Sequence, residues 1–117
     1  TTRLVGSEMC IETDLVENAI RYSRPGSTVN VSICDNDSHV FLRVEDQGPG
    51  IPKQYRESIF QPFFRLDKSR SRAYGGAGLG LALVWEIAAL HGGTVEVEAS
   101  SENGTTMLVT LSKGATT

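Results

Sequence analysis

Apolar residues recur every four positions between Glu8 and Ser23, where Ile11, Leu15 and Ala19 form one row with Val16 and Ile20 beside it. That spacing predicts an amphipathic helix with one buried stripe. The segment Arg24–Ser27, reading RPGS, ends it. The period then changes to two. Val29, Val31 and Ile33 alternate with polar residues, as do Val40, Leu42 and Val44, and the polar run Asp35–Ser38 between them predicts a hairpin. A turn-rich stretch, DQGPGIPK from Asp46 to Lys53, precedes a short predicted helix around Gln54–Ile59. Residues 61–77 carry Arg65, Lys68, Arg70 and Arg72 without a period and read as a mobile loop. Leu79–Leu90 is apolar nearly all round, broken by Glu86, which predicts a helix buried against a sheet. The HGG that follows supplies glycine at its C-terminal stop. Val95 and Val97 alternate with glutamates, and Met107, Val109 and Leu111 alternate again after the SSENG turn. Residues 113–117 read as a frayed tail.

The order helix, two strands, loops, helix, two strands predicts an α+β fold. We expect a two-layer α/β sandwich whose mixed, mostly antiparallel sheet is covered on one face by helices. A length of 117 residues with 39% hydrophobic content fits one domain over 1–117. The net charge of −3 argues against broad electrostatic binding to nucleic acid. No apolar run approaches the roughly 20 residues of a membrane span, so a domain without membrane contact, monomeric in isolation, is expected. Cys10 and Cys34 lack metal spacing and are too few for a disulfide framework, which points to reduced thiols and a cytoplasmic setting. The chain opens at Thr1 and not at methionine, and is expected to be a fragment of a longer protein.

Candidate chemistry gathers in three places. In GGAGLGLALVWEIAALHGG, Gly75–Gly93, the glycines Gly76, Gly78 and Gly80 fall where a loop becomes a helix. Free N–H groups there suit a phosphate, and a tight turn with close helix–sheet packing is the other reading. Asp14, Asn18 and Arg21 share one helix face at spacings of four and three. A carboxylate, an amide and a guanidinium in one row suit a metal–phosphate group, or else form a solvated stripe with Glu17 and Arg21 paired. Asp46 ends an apolar strand and is followed by Gly48 and Gly50. It reads as a turn former, or as an acceptor for an exocyclic amine with glycines that admit a ring. Phe60, Phe63 and Phe64 read as core, and His39 and His91 as surface or capping residues.

The order and spacing of these features resemble the ATP-binding catalytic domain of sensor histidine kinases, within the superfamily that includes DNA gyrase B, MutL and the heat-shock chaperone ATPases. ENAIRYS resembles the asparagine motif, DQGPGI the first glycine motif, IFQPFFR the phenylalanine motif and GGAGLGLAL the second glycine motif. HGGTVEVEASSENGTTMLVTL resembles the closing strands, with the glycine–threonine pair Gly104 and Thr105. The resemblance runs from about Glu8 to Leu111.

It implies a Bergerat-type fold that binds ATP and Mg²⁺. By the same resemblance Asn18 ligates the metal, Arg21 meets the phosphates, and Tyr22 lies near the adenine or ribose. Asp46 accepts from the adenine amine, and Gly48, Gly50 and Ile51 shape the base pocket, with Thr105 among the nucleotide contacts. Gly76, Gly78 and Gly80 let a lid fold over the phosphates, anchored by Leu79 and Leu81. The chain departs from the pattern at Asp14, which stands where the family carries a second asparagine, at the offset where gyrase-like relatives place a water-activating carboxylate. Glu12 also falls where an aliphatic residue is usual, and the segment before the first helix is short. The implied function is donation of the γ-phosphoryl group to a histidine on a separate dimerisation domain of a two-component sensor kinase, with a response regulator downstream. Neither His39 nor His91 has an acceptor-like context. Two alternatives stand beside it: a gyrase/MutL-type switch hydrolysing ATP through Asp14, and a nucleotide-sensing module without catalysis.

Overall fold

The computed structural model of the chain describes residues 6–62, 64 and 80–114. The helix predicted from the four-residue repeat is α1, Gly6–Tyr22. The two period-two runs are strands β1, Asn30–Asp35, and β2, His39–Asp46, joined by the expected tight hairpin. Within that turn, Asn36 Oδ1 accepts from the backbone N–H of Ser38 and His39, an Asx-type arrangement that short polar side chains favour. The predicted helix at 54–59 is instead two short 3₁₀ turns, Lys53–Tyr55 and Ser58–Phe60. Pro52 fixes the start of the first, and neither turn has enough residues to repay the cost of nucleating an α-helix. Helix α2 is Gly80–Leu90, followed by β3, Thr94–Ser101, and β4, Gly104–Ser112.

The four strands form one sheet in the order β1-β2-β4-β3, antiparallel at every described pairing. Alternation sends Leu42 and Val44 of β2, Val95 of β3, and Met107 and Val109 of β4 to one face. There they meet Ile11, Leu15 and Ala19 of α1 and Val84 and Ala88 of α2. Phe60 closes one end of this core and stacks on Trp85 at 5.4 Å, and Phe64 packs at its edge, as the core reading of these rings expects. Phe63 lies outside the described residues. The architecture is the expected α+β sandwich with helices on one face.

Three local features differ from the pattern reading. Helix α2 is not buried all round: Ala82, Val84 and Ala88 are covered, whereas Leu83 is half exposed and Leu90 is 82% exposed. Small residues form the covered stripe, with Leu81 and Ile87 packed at its edges, so the helix sits close to the sheet while Leu83, Trp85 and Leu90 point away. Strand β1 is exposed along its length, including Val31 and Ile33, because the helices cover β2, β3 and β4 and leave this edge strand largely outside. Lys113, the first residue of the expected tail, is tied down. Its backbone N–H donates to Ser38 O at 2.8 Å, and its ammonium pairs with Asp35, holding that carboxyl below its ordinary range.

The core makes a direct forecast about the α1 stripe. Leu15 is buried within it and Ile20, five residues on, is 63% exposed. Leu15→Ala is expected to cost about 2–5 kcal/mol of unfolding free energy, and Ile20→Ala within about 0.5 kcal/mol of none. Urea denaturation checks both, and equal losses would contradict the face assigned to α1.

Candidate functional site

Strand β2 ends by carrying a carboxylate into the interior. Asp46 is 9% exposed, and its Oδ1 accepts from the backbone N–H of Gly48 at 2.9 Å and of Thr105 at 3.2 Å. Burial pushes the Asp46 carboxyl above its ordinary range. The two backbone bonds pull it back, and neighbouring Glu45 adds a smaller upward push. Both bonds described for this carboxylate arrive on Oδ1.

The loop that follows lies against other backbone. A Cβ on Gly48 would stand 2.5 Å from the carbonyl oxygen of Tyr22, so only glycine lets the loop touch the C-terminal turn of α1. Gly50 has φ +87°, and a Cβ there would collide with the Ser101 carbonyl. Ile51 N–H donates to Ser100 Oγ at 2.8 Å, and Ser100 Oγ shares a hydrogen bond of 2.8 Å with Thr105 Oγ1. Asp46, Gly48, Gly50, Ile51 and Thr105, picked out separately in the sequence, are thus one bonded unit.

Helix α1, whose last residue Tyr22 meets this loop, carries the polar stripe. Asp14, Asn18 and Arg21 are each half-buried, while Thr13, Glu17 and Ile20 on the adjoining row are exposed. The stripe therefore borders the core and is not a fully solvated face. Burial, and then the charge of Glu17, raise the Asp14 carboxyl above its ordinary range. Tyr22 ends the helix where its carbonyl meets Gly48. At the head of α2, Leu81 packs against the core, and no described neighbour lies within 4 Å of where a Gly80 Cβ would stand. Gly76, Gly78 and Leu79, with the loop at 61–77, fall outside the described residues apart from Gln61, Pro62 and Phe64.

A cavity of about 370 Å³ also adjoins Asp46. It is lined by Asn30, Glu45 and Thr106, which pair across the sheet out of phase with buried Val44 and Met107, and also by Asp46, Ser100 and Thr105.

The donors available for a divalent cation are the Asn18 amide oxygen and the Asp14 carboxylate. Among the described residues no three His, Cys, Asp or Glu side chains gather into a metal cage. A set of one or two hard oxygen ligands, completed by phosphate and water, is what Mg²⁺ accepts, so the residues present fit that ion. Cys34 is a free, exposed thiol. Four contributors escaped the sequence reading: Ser100, Gln47, Arg24 and Arg56. Gln47 Oε1 accepts from Thr28 N–H and its backbone N–H donates to Ser23 Oγ. Such long-range side-chain-to-backbone bonds leave no periodic trace, and only the tertiary structure reveals them.

With this geometry in place, comparison with known proteins identifies its relatives. Residues 11–115 match the family described as histidine kinase-, DNA gyrase B-, and HSP90-like ATPase. The chain is 42% identical over 112 residues to the sensor-like histidine kinase SenX3 of Mycobacterium tuberculosis, spanning 93% of this chain and 27% of that protein. Its fold resembles the mycobacterial sensor histidine kinase MprB with a TM-score of 0.77 at 34% identity, covering 91% of this chain and 70% of that one. Full-length ShkA, solved in complex with AMPPNP, gives a TM-score of 0.77 at 28% identity over 90% of this chain and 21% of its own. The chain thus spans about a quarter of the length of the curated relatives it matches. No helix among the described residues is long and apolar enough to cross a membrane.

The raised Asp46 carboxyl has a consequence for stability. Asp46 titrates higher in the folded than in the unfolded chain, so the folded state binds the proton over a window just above the ordinary carboxylate range. Wild type should therefore gain stability relative to Asp46→Asn as pH falls from 7 to about 4. Urea denaturation of the pair across that range checks the sign, and a difference independent of pH would contradict it.

Proposed function

The chain belongs to the histidine kinase-, DNA gyrase B-, and HSP90-like ATPase family, and from that membership we propose that it binds Mg·ATP and donates the γ-phosphoryl group to a histidine on a separate dimerisation domain. The observation that carries this reading is the Asp46 unit: a buried carboxylate, held on one oxygen by two backbone N–H groups, beside a glycine loop pressed onto the end of α1.

In this reading the second carboxylate oxygen of Asp46 accepts the exocyclic amine of adenine. Gly48, Gly50 and Ile51 wall the base, and Tyr22 borders the adenine or ribose. Thr105 holds Asp46 in place through its N–H and reaches Ser100 through its hydroxyl. Toward the other end of the nucleotide, Arg21 meets phosphate oxygens and Asn18 holds Mg²⁺. The cation, when bound, neutralises charge on the phosphate oxygens. Gly76, Gly78 and Gly80 admit the phosphates to the start of α2, with Leu79 and Leu81 anchoring the loop. Phosphoryl transfer relies on positioning and charge neutralisation more than on covalent chemistry by the protein, which suits a site built from backbone and amides. Asp14 contributes a further oxygen facing the metal. Its upward-shifted carboxyl is the observation that favours the other reading, a gyrase-type base for water. The acceptor histidine lies on another domain, a response regulator acts downstream, and the domain works on the cytoplasmic side.

Calorimetric titration with ATP, ADP and GTP tests the base assignment. A buried acceptor left without its amine is costly, so ATP should bind about a hundredfold or more tighter than GTP. Equal affinities would sink the role of Asp46.

Transfer is tested with labelled Mg·ATP and acid-labile phosphate as the readout. The 117 residues alone should remain unlabelled. A histidine-bearing dimerisation domain of a homologous kinase, added as a separate chain, should become labelled slowly, because it lacks the effective concentration, on the order of millimolar, that a tether supplies. Asn18→Ala should abolish that labelling, whereas Asp14→Asn should leave basal hydrolysis unaltered. Loss of turnover at unchanged affinity in Asp14→Asn would favour the water-activating role, and labelling of this chain itself would overturn the assignment of an external acceptor.

A further inference from the structure

Two arginines outside the proposed nucleotide contacts hold the ends of the Gln47–Ile51 loop in the same manner. Arg24, just beyond α1, donates from Nη1 to Gln47 O at 3.1 Å and from Nη2 to Glu102 O at 2.8 Å. Arg56, between the 3₁₀ turns, donates from Nε to Ile51 O and from Nη2 to Ser100 O, each at 3.2 Å. Each guanidinium therefore joins one carbonyl of the loop to one carbonyl of the β3–β4 hairpin. The two loop carbonyls are those of its first and last residues.

We propose that Arg24 and Arg56 are paired positioning residues that clamp the base-recognition loop onto the β3–β4 hairpin and so set adenine affinity and selectivity. The inference rests on the reading of Asp46 as the adenine acceptor and adds two residues that touch no part of the nucleotide. The reason lies in the loop's composition. Gly48 and Gly50 make up two of its five residues, so its backbone is costly to fix there and gains nothing from side-chain packing at the glycines. An acceptor that must meet a base amine has to be held to about 0.5 Å. Asp46 itself is anchored through Thr105, and Ile51 through Ser100. Both anchors belong to the hairpin, so the pocket keeps its shape only while loop and hairpin move together.

Arginine is the side chain suited to this task. Its planar fork carries five N–H donors and serves two carbonyls at a fixed separation. Lysine carries the same charge on a compact head that cannot hold both carbonyls in a fixed plane. Arg24 is exposed and Arg56 half-buried, and their bonds are to neutral backbone, so their removal should affect local order more than global stability.

The experiment measures ATP and GTP affinity of the 117-residue chain by calorimetry for wild type, Arg24→Ala, Arg56→Lys and Arg56→Ala. Amide hydrogen exchange at Gly48, Gly50 and Ile51 is followed in the same proteins. Arg24→Ala and Arg56→Lys should each weaken ATP binding about tenfold while GTP binding changes little, so the ATP:GTP ratio narrows. The loop amides should exchange faster, and the thermal midpoint should stay near wild type. Should Arg56→Ala unfold, Arg56→Lys retains the charge and still reads the clamp. An unchanged ratio together with unchanged loop exchange in folded variants would overturn the proposal. If wild type itself fails to prefer ATP, the adenine reading fails, and loop exchange alone then decides the clamp: acceleration supports it and no change refutes it.

Discussion

The structure of this site depends on the burial of one carboxylate. An ionised oxygen taken out of water is tolerated only when hydrogen bonds replace its hydration. For Asp46 those bonds come from the backbone of Gly48, two residues ahead, and of Thr105, which faces it across the sheet. The requirement reaches outward from there. To offer its N–H, the chain must turn back at once after β2, which places the loop against the Tyr22 carbonyl and excludes a side chain at position 48. To offer the Thr105 N–H, β4 must begin in register beside the end of β2, which fixes the short β3–β4 turn.

The hairpin that supplies Thr105 is itself irregular. The register between β3 and β4 shifts between Val97 and Ala99. Such a bulge changes which side of the sheet the following residues face. Before it, Val95 and Val97 point to the core; after it, Ser100 points to the same side and reaches both Ile51 and Thr105. Glu98, near the shift, extends on the open face and pairs with Arg43 at 2.8 Å, which lowers the Glu98 carboxyl. The same irregularity thus serves the loop on one face and a cross-strand ion pair on the other.

What was legible in the sequence was whatever repeats. The row Ile11, Leu15, Ala19 is buried as its spacing predicts, and the strand alternations place Val44, Met107 and Val109 in the core. Motif order carried the family, and spacing alone put Asp14, Asn18 and Arg21 on one face. Single-residue events did not show. The half-exposed α2 reads as fully apolar because periodicity cannot tell a thin covered stripe of alanine and valine from burial all round. The exposed β1 reads like a covered strand because its alternation is the same, and only the lateral reach of the helices separates the two. The arginine forks and the Ser100 bridge connect residues 23 to 78 positions apart, except for the local Arg56–Ile51 and Ser100–Thr105 bonds. No local rule reaches that far.

The site is therefore uneven in its construction. At the base end Asp46 Oδ1 is tied to the backbone of Gly48 and Thr105, Ile51 N–H is tied to Ser100, and the glycines there are required by neighbouring carbonyls. At the start of α2, by contrast, no described neighbour lies within 4 Å of where a Gly80 Cβ would stand. Glycine that packing requires preserves a shape, and a preformed pocket lowers the ordering cost of binding. In the proposed function the base end selects and holds the nucleotide, and the phosphate end hands the terminal phosphoryl group to a residue on another domain.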